Sequence, residues 1–340
     1  MTSTPRISFI VPAYNAAETL PRCLTALLRE ADAQTEIIVV DDGSQDDTAA
    51  LAHEFEVTLL TLETNSGPGI ARNQGALQAR GEFLVFVDAD VEIQSGTRAQ
   101  IIAFFDQHDH AAAVFGSYDD IPSAPGAVSR YRNLLHHYVH QASPDEASHF
   151  WGGLGAVRAK TFRAVGGFAS SGPYFRKIED VEFGYRLRDQ GYMIFLEKSI
   201  QGKHLKGWSL YSMIRTDVMI RALPWTRLVL ERKLAPTDFS LSWRHRLSVL
   251  LSGIIVLSIV AVLFFSVDLL ITVAALLLFI ALNLNLFKFF TAHGGIAFAA
   301  KCVGLHVFYN LYTGVSFVIG LFWHTFLTKT HLQVPKTEDT

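Results

Sequence analysis

The chain has 340 residues, 50% of them hydrophobic and 18% charged, with a formal net charge of −3 and a mean hydropathy of +0.25. That length allows about two domains, the composition excludes disorder, collagen-like repeats and a disulfide scaffold, and a net negative charge argues against a nucleic-acid partner. Of the 61 charged residues, 54 lie in residues 1–246 (22%) and 7 in the last 94 (7%), so the mean hides a soluble domain and a membrane tail. Cys23 and Cys302 are too few and too far apart for a zinc constellation or a disulfide framework.

In chain order, Ile7–Val11 is a short apolar strand ended by Pro12. It is too short for a signal peptide, and Asn15 follows closely, so the first domain is expected to fold in the cytosol. Leu20–Arg29 has helical spacing, with Leu20, Leu24, Leu27 and Leu28 on one side. Glu36–Val40 reads as a buried strand, and Asp46–Glu54 as a helix capped by Ser44 or Asp46. A strand at Val57–Leu62, a helix at Ile70–Ala79 and a strand at Phe83–Val87 follow. This alternation predicts a parallel α/β sheet with a Rossmann-like first half. Ligands bind such sheets beyond the carboxyl ends of the strands. That rule selects Pro12, Tyr14 and Asn15 after the first strand, then Asp41–Ser44, Asn65–Arg72 and Asp88–Asp90.

Asp88-Ala89-Asp90 directly follows the apolar FLVFV strand. Alternate residues of an extended segment face the same way, so both carboxylates can enter one cleft. Paired hard oxygen ligands suit Mg²⁺ or Mn²⁺ shared with a diphosphate. Asp41 and Asp42 could accept N–H groups of a uracil or guanine base, while Gly43 and Ser44 suit a turn and helix cap. The segment NSGPGIARN opens a helix but is not a dinucleotide fingerprint, and Arg72 near its start could contact a nucleotide or its phosphates. Glu179-Asp180 begins a helix ended by Gly191, where a carboxylate is stabilised by the helix dipole. An ordinary aspartate there is ionised at neutral pH and ready to take a proton. Glu182 and Arg186 form an i, i+4 pair. His136 and His140 have zinc-like spacing without a third ligand, which reads as a surface or acceptor-side helix. Trp151-Gly152-Gly153 is expected to shape an acceptor pocket.

The blocks IVPAYNA, VVDDGSQDDT, NSGPGIARNQGA, FVDADVEI, WGGLGAVRAKTFRAVGGF and IEDVEFGYRLRDQGY, in that order over roughly residues 7–204, resemble the family 2 glycosyltransferases of GT-A fold. The resemblance implies an inverting transferase that uses a nucleotide-diphosphate sugar and a divalent metal. It implies Asp41, Asp42 and Arg72 as nucleotide-binding residues, with Pro12, Tyr14, Asn15, Asp88 and Ala89 lining the donor site. Asp88 and Asp90 match the D-x-D metal ligands, and His204 matches a histidine that can assist the metal or diphosphate. Asp180, in the Glu179-Asp180 pair, matches the catalytic base.

After the expected catalytic domain (residues 1–205), residues 206–246 mix Trp208, Tyr211 and Trp225 with Arg215, Arg221 and Arg227, as helices in a headgroup region do. Residues 247–328 then hold two to three spans, at Leu247–Val267, Leu269–Phe287 and Val303–Leu327, with a tight join at Asp268. Residues 329–340 form a polar tail. Arg227, Arg232, Lys233, Arg244 and Arg246 before the first span place that side in the cytosol, and Lys288 and Lys301 place the next loop there too. The expectation is an integral membrane protein, of a bacterial inner membrane, whose cytosolic domain moves one sugar from a UDP- or GDP-sugar to a lipid or lipid-linked acceptor. A processive polysaccharide synthase is the alternative, although its Q-x-x-R-W block is absent from the sequence. A non-catalytic membrane scaffold is disfavoured by the intact acid pairs.

Overall fold

The computed structural model describes residues 4–232, 243–265 and 269–327, in two compact units, Met1–Ser209 and Leu210–Thr340. The first unit runs β1 (Ile7–Ala13), α1 (Leu20–Glu30), β2 (Thr35–Asp41), α2 (Thr48–Ala52), β3 (Thr58–Thr61), α3 (Pro68–Gln78), β4 (Phe83–Val87) and β5 (Val91–Ile93). It continues with α4 (Thr97–Gln107), β6 (Ala111–Tyr118), α5 (Ala127–Ala142), β7 (Glu146–Ala147), β8 (Leu154–Arg158), α6 (Ala159–Val165), α7 (Glu179–Asp189) and β9 (Met193–His204).

The described strands form one nine-stranded sheet in the order β3-β2-β1-β4-β8-β6-β9-β5, with β7 pairing β9. The first four positions are parallel, as the alternating pattern predicts. The second half is mixed, since β8 runs antiparallel to both β4 and β6. The expected parallel sheet thus holds for the Rossmann-like first half, while the antiparallel β8, continued directly by α6, takes its direction from tertiary pairing that local periodicity does not carry.

Alternating side chains split the core into two layers. Phe9, Val39 and Val85 meet Leu24 and Leu27 of α1 and Phe104 and Phe105 of α4 on one face. Ile10, Val40 and Phe86 meet Ala71 of α3, Phe162 of α6 and Phe183 of α7 on the other. Phe86 packs against Phe162 and Phe168 at 5.3 and 5.0 Å between ring centres. Such pairs are each worth ~0.5–1.5 kcal/mol beyond area burial. With both faces covered, β1, β2 and β4 present their carboxyl ends along one edge. The expected helix Asp46–Glu54 is shorter, and neither Ser44 nor Asp46 occupies its cap, which is Asp47. Asp46 still accepts the N–H of Thr48 at 3.1 Å, while Ser44 Oγ is taken by the N–H of Asn15 at 2.9 Å.

In the second unit, α8 (Leu210–Arg215) passes through a π-helical stretch, Thr216–Ala222, into α9 (Leu223–Glu231). The wider turn precedes Pro224, whose ring would meet the carbonyl of Ile220 in a regular α-helix. Three helices follow: α10 (Trp243–Phe265), α11 (Leu270–Leu282) and α12 (Leu284–Leu327), the last broken at Gly295 (φ 75°). By length and composition two of them, Trp243–Phe265 and Leu284–Thr325, are long and apolar enough to cross a membrane.

The expected span Leu269–Phe287 is corrected. Asn283 ends its helix after 13 residues, which cover ~20 Å of a ~30 Å core. Lys288 and Lys301, expected on a loop, lie within α12 and are exposed there, since apolar helix-formers continue on both sides of them. Lys233, Asp268 and the tail 329–340 lie outside the described residues.

Candidate active site

The ends of β1 and β2 are laced together. Pro12 is the half-buried penultimate residue of β1, and Tyr14 beyond it is 45% exposed. Asn15 adopts a left-handed φ of 48°, which its short polar side chain tolerates. Its side-chain carbonyl accepts the N–H of Gln45 at 2.8 Å. Asp41 and Asp42 are both buried. The Asp41 carboxylate accepts the N–H of Ser44 at 3.3 Å. Asp42 accepts the N–H groups of Ser66 and Gly67 at 2.7 and 2.8 Å, bracing the NSGPG turn that opens α3. Nothing local in the sequence signals that bracing role.

Arg72, in the second turn of α3, is buried and joins two carboxylates from distant parts of the chain. One arm donates to Asp88 Oδ1 at 2.7 Å and the other to Glu179 Oε1 at 2.8 Å. Burial works against its charge, but the fields of Asp88, Glu179 and Asp180 outweigh it and keep the guanidinium protonated. The group lies 5.5 Å above the Phe168 ring. Gly152 lines its other side: a Cβ there would sit 3.1 Å from the guanidinium carbon. The structure places Arg72, a nucleotide-contact candidate, in an ion-pair network with Asp88 and Glu179.

Glu179 is buried as well, and its Oε2 has no hydrogen-bond partner among the described residues. Burial, with the charge of Asp180 adding to it, pushes its carboxyl up to about 7 against the pull of Arg72. Asp180, half-buried at the start of α7, differs. Its Oδ1 accepts the N–H of Val181 at 2.8 Å and its Oδ2 accepts the N–H of Gly152 at 3.0 Å. The next residue, Gly153, accepts the N–H of Asp88 at 3.1 Å. Two consecutive residues of the Trp151-Gly152-Gly153 segment thus tie Asp180 and the D-x-D turn together. Gly191 (φ 82°) lies just beyond α7, in the role the sequence assigns it.

The D-x-D turn closes through the N–H of Val91 on the Asp88 carbonyl at 2.9 Å, with Ala89 buried between the acids. The Asp90 carbonyl accepts the N–H of Leu205 at 2.8 Å, and Val91 pairs with His204 of β9. This register brings His204 Nε2 within 3.4 Å of Asp90 Oδ2. The His204 ring stacks on Tyr118 at 4.2 Å. Its Nδ1 lies 2.7 Å from Asn133 Oδ1, which also accepts the indole N–H of Trp208 at 3.3 Å.

Two ligand atoms 3.4 Å apart are within reach of a single ion at ~2.1 Å from each; the carboxylate suits Mg²⁺ or Mn²⁺, and the imidazole favours the transition ion Mn²⁺. Among the described residues no three His, Cys, Asp or Glu side chains form a metal-holding group by themselves. An ion held there would need its other ligands from substrate oxygens and water, as is usual for Mg²⁺ at phosphate sites.

Asn133 and Tyr118 have no counterpart among the sequence candidates, because nothing local distinguishes them. Trp208, expected among headgroup-region aromatics, is instead buried within the first unit. Of the two settings expected for the helix bearing His136, His137 and His140, surface or acceptor side, the surface one is corrected. His137 and His140 are buried, and the His136 and His140 rings pack 5.3 and 5.2 Å from that of Trp151. Their spacing serves an aromatic wall rather than a metal.

Residues 8–166 match the family model described as "Glycosyl transferase family 2". A PGL/p-HBAD biosynthesis glycosyltransferase of Mycobacterium bovis is 32% identical over 120 residues, which is 34% of this chain and 47% of that protein. A succinoglycan biosynthesis protein of Rhizobium meliloti is 40% identical over 89 residues, 25% of this chain and 26% of that protein. The chain thus spans about half the length of the mycobacterial relative. Among solved structures, a mannosyltransferase from Pyrobaculum calidifontis in complex with GDP-Man and Mn²⁺ superposes with a TM-score of 0.56 at 17% identity, covering 96% of this chain and 88% of that one. At that identity the likeness speaks to the fold, which is GT-A followed by apolar helices.

Proposed function

The first domain belongs to the family 2 glycosyltransferases, and from that premise we propose that the chain is an inverting glycosyltransferase. It moves one sugar from a UDP- or GDP-sugar to a lipid or lipid-linked acceptor at the cytosolic face of a membrane. The observation that carries this reading is the convergence of Asp88, Asp90, Glu179 and Asp180 on one sheet edge, with a single arginine joining the two pairs.

Asp180 is the base. Its two oxygens are fixed by the N–H groups of Gly152 and Val181, and the start of α7 stabilises its negative charge. As the acceptor oxygen bonds to the anomeric carbon, Asp180 takes the acceptor's proton, and the bond from that carbon to the diphosphate breaks on the opposite side. Arg72 is not spent on the donor. It holds the D-x-D turn and the start of α7 at a fixed separation, so the base and the leaving group stay in register. Glu179 anchors that arginine. Asp90 and His204, beside an Asp88 tied to Arg72, would hold Mg²⁺ or Mn²⁺, which would supply electrostatic stabilisation of the charge developing on the departing diphosphate. Tyr14 and Asn15, with Asp41 and Asp42, stand where the strand-end rule puts the nucleotide.

The lipid acceptor rests on the second unit. Its two long apolar helices expose Leu257, Leu263 and Phe264 on α10 and Phe322 on α12, surfaces suited to hydrocarbon. The test is detergent-purified protein given UDP- and GDP-sugars, Mn²⁺ or Mg²⁺, and lipid extracts, with the product's anomeric configuration read by NMR. A single added sugar of inverted configuration on a lipid is expected. A retained configuration, or transfer to water-soluble acceptors alone, overturns the reading.

A further inference from the structure

His204 faces Asp90 with one ring nitrogen and is held from behind by Asn133 with the other. The orientation of that amide decides the chemistry. An indole N–H only donates, so the Asn133 atom 3.3 Å from Trp208 Nε1 is the amide oxygen. The amide nitrogen agrees, since it points at the Lys206 carbonyl, 3.5 Å away. The ring nitrogen Nδ1 of His204 meets that same oxygen at 2.7 Å, so Nδ1 carries the hydrogen. An imidazole that binds a metal ion is neutral and has one N–H only, so with Nδ1 as that N–H the binding form turns the Nε2 lone pair toward Asp90 Oδ2, 3.4 Å away. A lone pair and a carboxylate oxygen at that separation can share one cation. Asn133, His204 and Trp208 are 2%, 7% and 8% exposed, so water does not compete for these bonds. The Tyr118 ring, stacked 9° from parallel, fixes the imidazole plane.

We propose that Asn133, oriented by Trp208, is a positioning residue that holds His204 in its Nδ1–H form, so that Nε2 and Asp90 together receive the divalent cation. The inference rests on the metal-dependent reading above. Outer partners of this kind typically change metal affinity by ~10–100-fold when removed.

The experiment titrates Mn²⁺ into the detergent-solubilised full chain, with UDP and separately with GDP, and follows free Mn²⁺ by electron paramagnetic resonance. Asn133→Leu should weaken Mn²⁺ binding by ~10–100-fold. Asn133→Asp, whose carboxylate accepts both N–H groups, should stay within a few-fold of wild type. Trp208→Phe frees the amide to rotate and should fall between them. In a His204→Ala background Asn133→Leu should cause no further loss. Wild-type affinity in Asn133→Leu, or an added loss in that background, overturns the inference alone. A wild-type chain that binds no Mn²⁺ with either nucleotide overturns the metal reading and this inference with it. Should Asn133→Leu fail to fold, Trp208→Phe carries the test, and unchanged affinity there overturns the proposal.

Discussion

The two units bury opposite things. In the first, large apolar side chains such as Phe9, Phe83, Phe86 and Phe105 are fully enclosed, as water requires. In the second, Leu257, Leu263, Phe264, Leu277 and Phe322 are exposed while Ser248, Ser252, Thr272 and Asn310 are buried. The buried polar groups differ in use as well. Asn283 donates to Ser248 Oγ at 3.0 Å, Thr272 to Ser258 Oγ at 2.9 Å, and the Tyr312 hydroxyl to Asp217 at 2.7 Å. These bonds satisfy neighbours and join helices, as polar groups between apolar helices do. In the first unit the buried Arg72 and Glu179 meet Asp88 at a sheet edge, where Asp180 and Asp90 stay partly open. Burial of a polar group marks chemistry in one region and helix packing in the other.

The comparison can be broken by substitutions on either side, and the largest effect is expected at the D-x-D turn. Asp90→Asn should lower sugar transfer by at least ~100-fold, read as turnover of nucleotide sugar at saturating Mn²⁺; near-normal turnover would remove Asp90 from the site. Asp180→Asn should cost ~10²-fold or more in kcat with donor KM nearly unchanged. A mild effect there, beside a severe one at Asp90, would identify an acceptor that is already anionic, such as a lipid phosphate. Arg72→Lys keeps the charge but cannot span two carboxylates, and should cost ~3 kcal/mol in urea unfolding; an unchanged midpoint would count against its bridging role.

On the other side, Leu257→Arg places a charge on α10 at a cost of ~2.5–3.5 kcal/mol if that helix lies in a bilayer. The measurement is the chain's share in an alkali-washed membrane fraction, and a wild-type chain that washes off would break the contrast itself. The smallest effect concerns pH. Because burial raises the Glu179 carboxyl from 4.5 to about 7, the folded state binds its proton more tightly than the unfolded state. Its contribution to stability is therefore full below pH 4.5 and is lost as pH rises to about 7. Glu179→Gln should gain on wild type between pH 5 and pH 8 in urea unfolding, and a difference that does not change with pH would contradict the raised value.

Much of the first unit was legible because its signals are local. FLVFV followed by Asp88-Ala89-Asp90 specifies a buried strand with acids at its carboxyl end. Glu179-Asp180 and Gly191 bracket a helix by end preferences alone. The second unit was legible in composition but not in length. An apolar run hides where a helix stops, so neither the end of α11 at Asn283 nor the helical setting of Lys288 is readable from it. The ion pairs of Arg72 are not legible there, because its partners lie 16 and 107 positions away and no spacing rule reaches that far.

By itself the sequence determined the strand–helix alternation, the acids at the strand ends and the split between charged and uncharged regions, since each follows from periodicity or composition within a short window. Only the tertiary structure decided that β8 enters the sheet antiparallel, that Arg72 binds Asp88 to Glu179, and that Asn133 and Trp208 stand behind His204. Those pairings depend on which distant residues are brought within hydrogen-bond distance after the sheet closes, and distance through space is not written in distance along the chain.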